Sequence, residues 1–144
     1  MEPLGRLVGS STIAALEQLV AFTESRNKVL AENIANIDTP SYQSKRVDLE
    51  AFQDALAEAL KQRRSAESVA QVTTRQVHRD EHGRMVLRPE IEPAENITFH
   101  DGTNSRIERE MTQLAQNALL HKVSMELLRH QYQVIEKAIR GRVA

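Results

Sequence analysis

The densest run of side chains that could do chemistry is His78-Arg79-Asp80-Glu81-His82, with His100 further along. Imidazole and carboxylate at such spacing can bind a divalent metal. The run is charged and irregular, however, and nothing around it supplies the supporting shell that orients metal ligands. It therefore reads as a solvated loop. His121 falls inside a helical pattern and reads as a packed or interface histidine, not a catalytic base. No Gly-rich phosphate loop, nucleophile elbow or paired-carboxylate pattern appears. Cysteine is absent, which excludes disulfides, thiolate metal sites and cysteine nucleophiles. The expectation is a chain with no catalytic residue, no cofactor and no metal.

The elements that would have to position any such group are helices. Ile13, Leu16, Val20, Thr23, Asn27, Leu30, Ile34 and Ile37 alternate by three and four, a heptad seam that predicts a helix over 12–37. At ~1.5 Å per residue it would be about 39 Å long. Two seam members, Thr23 and Asn27, are polar: either the seam weakens there, or Asn27 fixes register against a partner helix. Pro40 stops the helix, because the residue before proline is pushed out of the α region and proline offers no N–H. Asn36 and Asp38 then have side chains suited to the last free carbonyls or to a turn.

Residues 1–10, with Pro3, Gly5, Gly9 and Ser10, read as a flexible lead-in. Val47, Leu49, Phe52, Leu56, Ala59 and Leu60 predict a short amphipathic helix over about 49–63, with Asp48 as N-cap. Arg84–Arg88 and Asn96–His100 are β-like runs that could pair as a hairpin or small sheet. From Ser105 the longest pattern begins: Ile107, Met111, Leu114, Ala118, His121, Met125, Leu128, Tyr132, Ile135 and Ile139. Ser105 with Glu108 makes a capping box, and Gly141 is placed as the stop of a helix over 105–140.

The fold class is mainly α: long N- and C-terminal helices packed as an antiparallel coiled-coil-like pair. A shorter helix and an irregular, β-containing segment fill the middle. Residues 1–43, 44–103 and 104–144 form the three parts. The pairing seam is expected to use Leu16, Val20, Leu30 and Ile34 against Leu114, Met125, Leu128 and Ile135. Second apolar rows, Leu19, Phe22 and Val29 on one helix and Leu120, Val123, Leu127 and Val134 on the other, are wider than a helix pair needs. Other subunits are expected to cover them.

Composition is consistent with an elongated molecule of modest core. Only 3% of residues are aromatic, tryptophan is absent and mean hydropathy is -0.47. Net charge is -1, so no basic excess exists to neutralise phosphates or hold an anionic membrane. Nucleic acid is not an expected partner. No stretch is long enough to span a bilayer, and the first 30 residues lack a cleavable secretory signal pattern.

Two strings carry a family resemblance. Asn33-Ile34-Ala35-Asn36, then Thr39-Pro40 and Tyr42, resembles the signature of bacterial flagellar axial proteins, the rod, hook and hook-associated subunits. Ser41 stands where members usually have glycine, the residue that takes φ > 0 without strain. Asp101, Gly102, Asn104, Glu108, Glu110 and Met111 are similar to the second signature, while Thr103, Ser105 and Arg106 depart from it. With Ala115, Asn117 and Ile139-Arg140-Gly141-Arg142, and given the short chain, the likeness is closest to proximal rod subunits.

The resemblance implies a structural subunit of the hollow flagellar rod, assembling through its terminal helices in the periplasm, transmitting motor torque and supporting motility. Its implied partners are copies of itself, other rod and basal-body proteins and the flagellar type III export apparatus, with no membrane insertion. The alternatives are another rod subunit or a cytosolic coiled-coil adaptor.

Overall fold

Two long helices and a small middle layer make up the computed structural model, which describes residues 3–62, 69–93 and 101–143, with side chains within 11–62, 69–93 and 106–141. In chain order the elements are α1 (Pro3–Ala35), β1 (Lys45–Arg46), α2 (Leu49–Lys61), β2 (Val77–Arg79), β3 (Met85–Leu87), β4 (Glu90–Ile91) and α3 (Asp101–Val143). Asn33 meets Glu110, Arg26 meets Asn117 and Glu17 meets Tyr132, so α1 and α3 run antiparallel. The architecture is the mainly helical one expected.

Helix boundaries differ from the sequence expectation where capping rules compete with propagation. α1 starts at Pro3 and not near residue 12, because proline is at ease in a helix's first turn and the small residues after it only weaken propagation. It ends at Ala35, two residues short of Ile37. Asn36 donates from both its backbone N–H (3.1 Å) and Nδ2 (2.9 Å) to the Glu32 carbonyl, so a last-turn acceptor is satisfied as anticipated. α3 starts at Asp101, so Ser105 lies inside the helix and does not cap it. The same helix runs through Gly141 to Val143: the glycine costs about 1 kcal/mol of helix propensity but stays out of the left-handed region a stop would need. α2 follows its expectation at the start, with Asp48 Oδ1 accepting from Ala51 N at 3.0 Å, and closes at Lys61.

The strands form two antiparallel pairs. Val77, His78 and Arg79 face Leu87, Val86 and Met85, and Lys45 and Arg46 face Ile91 and Glu90. The strand expected within Arg84–Arg88 is therefore present, but its partner is β2. Asn96–His100 lies outside the described residues. The β2–β3 turn explains the choice: Asp80 Oδ1 accepts from His82 N (2.9 Å) and Arg84 N (2.8 Å), and Gly83 supplies φ 75°.

The apolar core lies between α1 and the middle layer, not between the two long helices. Phe22 and Phe52 stack with ring centroids 4.0 Å apart and planes 6° from parallel, and Val47, Val72 and Val77 close around them. Leu19 and Val29 pack against the same cluster. The second apolar row of α1 is thus covered by this chain's own α2, hairpin and extended segment, which corrects the expectation that other subunits cover it.

The helix pair keeps part of the heptad seam, with Thr23 meeting His121, and adds polar positions beside it. On α1 the buried positions are Ser11, Ala15, Gln18, Phe22, Thr23, Arg26, Leu30 and Asn33; on α3 they are Glu110, Asn117 and Ser124. Asn27 is exposed, so it fixes no register within the pair. The physical reason is that polar side chains of both helices satisfy one another, which removes the cost that normally excludes them from a seam.

Candidate assembly surface

Pro40 ends α1 and turns the chain back so that Lys45 passes beside Asn33, in the last turn of the helix. Ser41 makes this possible with φ 63°, a left-handed conformation held by a residue other than glycine. Asn33 is 1% exposed and grips the returning strand at both ends of its amide: Nδ2 donates to Lys45 O at 2.7 Å, and Oδ1 accepts from Lys45 N at 2.9 Å. The same Oδ1 accepts from the Tyr42 hydroxyl at 3.1 Å, and Nδ2 also reaches Glu110 Oε2 at 3.1 Å. Burial, with Glu32 adding to it, pushes the Tyr42 hydroxyl above its ordinary pKa, so it stays a donor. The structure thus gathers Asn33 and Tyr42 of one string and Glu110 of the other into a single buried cluster.

A polar ladder continues down the helix pair. Arg26 Nη1 donates to Asn117 Oδ1 at 3.3 Å, and Asn117 Nδ2 donates to Thr23 O at 2.8 Å. Thr23 Oγ1 lies 2.9 Å from Leu19 O and 2.9 Å from His121 Nδ1, so when the hydroxyl donates to the carbonyl the imidazole N–H donates to it. His121 is an interface histidine. Burial lowers the Arg26 pKa, while the nearby Glu110 and Asp48 carboxylates oppose the shift. Glu110, Asn117 and Ser124 recur every seven residues on α3, a polar heptad that the apolar count passed over.

Two more carboxamides act as Asn33 does. Gln18 Nε2 donates to Ala70 O (3.3 Å) while its Oε1 accepts from Val72 N (2.7 Å) and Arg79 Nη2 (2.9 Å). Gln76 Oε1 accepts from Asp48 N (2.8 Å) and its Nε2 donates to Arg46 O (3.3 Å). Each amide imitates the peptide unit of a neighbouring strand, so extended chain is held against side chains where no full sheet exists. Neither glutamine was singled out by pattern, since a lone glutamine carries no local signal.

The other sequence-selected residues scatter. Ile34 is half-buried, Ala35 exposed, and Asn36 and Thr39 bond each other across the turn, where Pro40 is exposed. Asp101, Gly102 and Asn104 occupy the first turn of α3; their side chains are outside the described set. Glu108 and Met111 are exposed. Of the seam residues, Leu30 is buried, Leu16, Val20, Leu114 and Leu128 are half-buried, and Met125 and Ile135 are 39% and 40% exposed.

On α3 the expected second row stays open only in part: Leu120 is half-buried, while Val123, Leu127 and Val134 are 47–48% exposed and are joined by Leu119, outside the expected row, at 64%. At about 100° per residue the exposed residues share one stripe, roughly a third of a turn round from the Glu110, Asn117, Ser124 row. Among the described residues no group of His, Asp and Glu is placed to hold a metal ion, and no helix is long and apolar enough to cross a membrane. In the histidine-rich run, His78 Nε2 lies 3.0 Å from Arg75 O, and Asp80 is engaged by Arg84.

No family model matches the chain. Among curated proteins it is 33% identical to the flagellar basal body rod protein FlgB of Escherichia coli over 106 residues, 72% of this chain and 74% of that protein. It is 27% identical to the protein of that name from Bacillus subtilis over 132 residues, 92% of this chain and 95% of that protein. The Salmonella typhimurium protein of that name is 27% identical over 123 residues, 81% of this chain and 83% of its own length.

Proposed function

The chain belongs to the FlgB family of flagellar basal body rod proteins, and on that premise we propose that it is a structural subunit of the proximal rod. It reaches the periplasm through the flagellar type III apparatus and packs through its terminal helices against copies of itself and other rod subunits. As part of that hollow axial structure it transmits motor torque, and it catalyses no reaction.

The observation that carries this reading is the open stripe on α3, Leu119, Val123, Leu127 and Val134. The helix pair is closed by its polar ladder and α1 is covered by the middle layer, so among the described residues nothing closes over these apolar side chains, which stay about half exposed or more. A contiguous apolar stripe of this kind marks a protein contact. Rod assembly supplies the contact.

Leu127→Asp tests it. The side chain is 48% exposed in the single subunit, so the purified variant should melt as the parent does. In a rod the carboxylate would be buried without a partner. Basal bodies from cells carrying the variant should lack assembled rod, and the cells should not swim. Normal rods and full motility would overturn the reading.

A further inference from the structure

Besides the stripe, α3 carries a second apolar flank that no described residue closes over. Met125, Tyr132 and Ile139, set seven apart, are 39%, 48% and 60% exposed. At about 100° per residue, Met125 and Tyr132 lie roughly 140–160° round the helix from Leu127. Leu127 is about five full turns on from Arg109, at the same angle, and Arg109 bonds Glu92 of the middle segment at 3.2 Å. The stripe therefore lies on the middle layer's side of the helix pair, and the second flank lies on the other side.

α1 adds its own wall there. Leu16 and Val20 are half-buried, and each lies about 160° round from Gln18, whose amide holds Ala70 O and Val72 N. The Tyr132 hydroxyl donates to Glu17 Oε1 at 2.8 Å and joins the two walls. On the α3 wall is a shallow hollow of about 500 Å³ along Met125, Leu128 and Tyr132. One subunit thus presents an apolar ridge on one side of its helix pair and a groove on the other.

Charge decides what each meets. Around the ridge Arg129 pairs with Glu126 and Arg140 with Glu136, which leaves Lys122 and Lys137 without a carboxylate among the described residues. Beside the groove Lys28 pairs with Glu24, and Glu17 is neutralised by no described cation. Ridge against ridge, the two-fold arrangement, would gather Lys122 and Lys137 of both copies in one contact with nothing to balance them. Ridge in groove sets apolar against apolar and brings unpaired lysines to the side that holds Glu17. We propose that the α3 stripe of one subunit docks in the α1–α3 groove of a second copy. The contact is heterologous: the second copy's own stripe stays open for a third, so the same two faces build a row and not a closed pair. The proposal rests on the rod-subunit reading and adds which face of the neighbour receives the stripe.

Photo-cross-linking in assembled basal bodies tests it. A benzophenone amino acid replaces Leu127, the product of two chains' mass is isolated, and the joined peptides are read by mass spectrometry. The probe should be attached within residues 13–24 of the second chain, the α1 wall. Met125→Arg sets a further positive charge on the α3 wall at an exposed position. It should leave the melting temperature of the purified subunit unchanged and lower that product at least about tenfold, the scale of a charge caught unpaired in a contact.

A product joined stripe to stripe, one joined elsewhere on the second copy, or capture of a different rod protein would overturn the groove and leave the rod-subunit reading standing. So would a product that survives Met125→Arg undiminished in a folded protein. Capture of no rod subunit at all would overturn both.

Discussion

Asn33 on α1 and Glu110 on α3 meet across the helix pair, Nδ2 to Oε2 at 3.1 Å, with both side chains at least nine-tenths buried. The contact joins the end of the first helix to the start of the last. Asn33 also holds Lys45 by both backbone groups, so one amide fixes three segments at once.

Asn33→Leu removes that amide while keeping the branched shape of the side chain. Lys45 loses its clamp, and Glu110 loses its hydrogen-bond donor while still buried. The expected cost is about 2–4 kcal/mol, from one buried network broken at its centre. Urea unfolding would show it as a lower midpoint. A loss under about 0.5 kcal/mol, the level of an ordinary surface change, would show that the cluster contributes little.

Ser41 stands in the left-handed region at φ 63°. A left-handed L-residue costs roughly 1–2 kcal/mol, and glycine gives back about 0.4–1 kcal/mol through its freer unfolded chain. Ser41→Gly is therefore expected to raise stability by about 0.5–1 kcal/mol, and Ser41→Val to lower it, since a β-branched residue is least at ease there. Melting temperatures in the order Gly, Ser, Val are the expected result. The reverse order would mean that the turn re-forms without a positive φ.

What could be read in the chain, and what could not, follows from how far apart the interacting residues lie. Asp48 capping α2 and Pro40 stopping α1 are local events, and both were legible. So was the pairing of two long helices, because heptad spacing persists through any single misplaced residue. The face was legible only in part, at Thr23, Leu30 and His121. Arg26, Asn33, Glu110 and Asn117 look like surface residues when counted one at a time, and become seam residues only when each finds a partner from another part of the chain. Phe22 looked available to another subunit because nothing near it in sequence shows that Phe52 arrives to stack on it. Among the assembly candidates, Asn33, Tyr42 and Glu110 come together, while Val123, Leu127 and Val134 were visible from periodicity and stay open; Leu119 beside them was not singled out, and Leu120, which was, is half-buried.

Asp80 should make the β2–β3 hairpin acid-sensitive. Its carboxyl is held below the ordinary aspartate pKa, first by the Arg84 backbone N–H, then by the Arg84 side chain and His82 N–H. A carboxyl depressed in the folded state contributes stability above its unfolded pKa and loses it as pH falls through the folded value. The contribution is thus complete near neutrality and disappears below the ordinary aspartate range. Carboxyl chemical shifts should place the Asp80 midpoint below that of an exposed aspartate, with hairpin amides loosening through the same window. In Asp80→Asn that window should vanish from the hairpin; its persistence would assign the transition to another group.

Within His78-Arg79-Asp80-Glu81-His82, the weight falls on the middle residues. Arg79 Nη2 reaches Gln18 Oε1 at 2.9 Å and ties the hairpin to α1, and Asp80 builds the turn. His78 makes one exposed contact, to Arg75 O, and the His82 side chain is exposed, with the turn bond made by its backbone N–H. His78→Ala with His82→Ala should therefore cost no more than about 1 kcal/mol and leave motility intact, since one exposed hydrogen bond is lost. Arg79→Ala should cost about 1–2 kcal/mol, because it strips a charged donor from the half-buried Gln18 contact. The two variants separate a structural hairpin from a chemical one: a site that used these imidazoles would fail in the first and tolerate the second. Swimming assays beside thermal melts give the answer. Loss of motility in the double alanine variant, with the protein folded and exported, would overturn the non-catalytic reading of this chain.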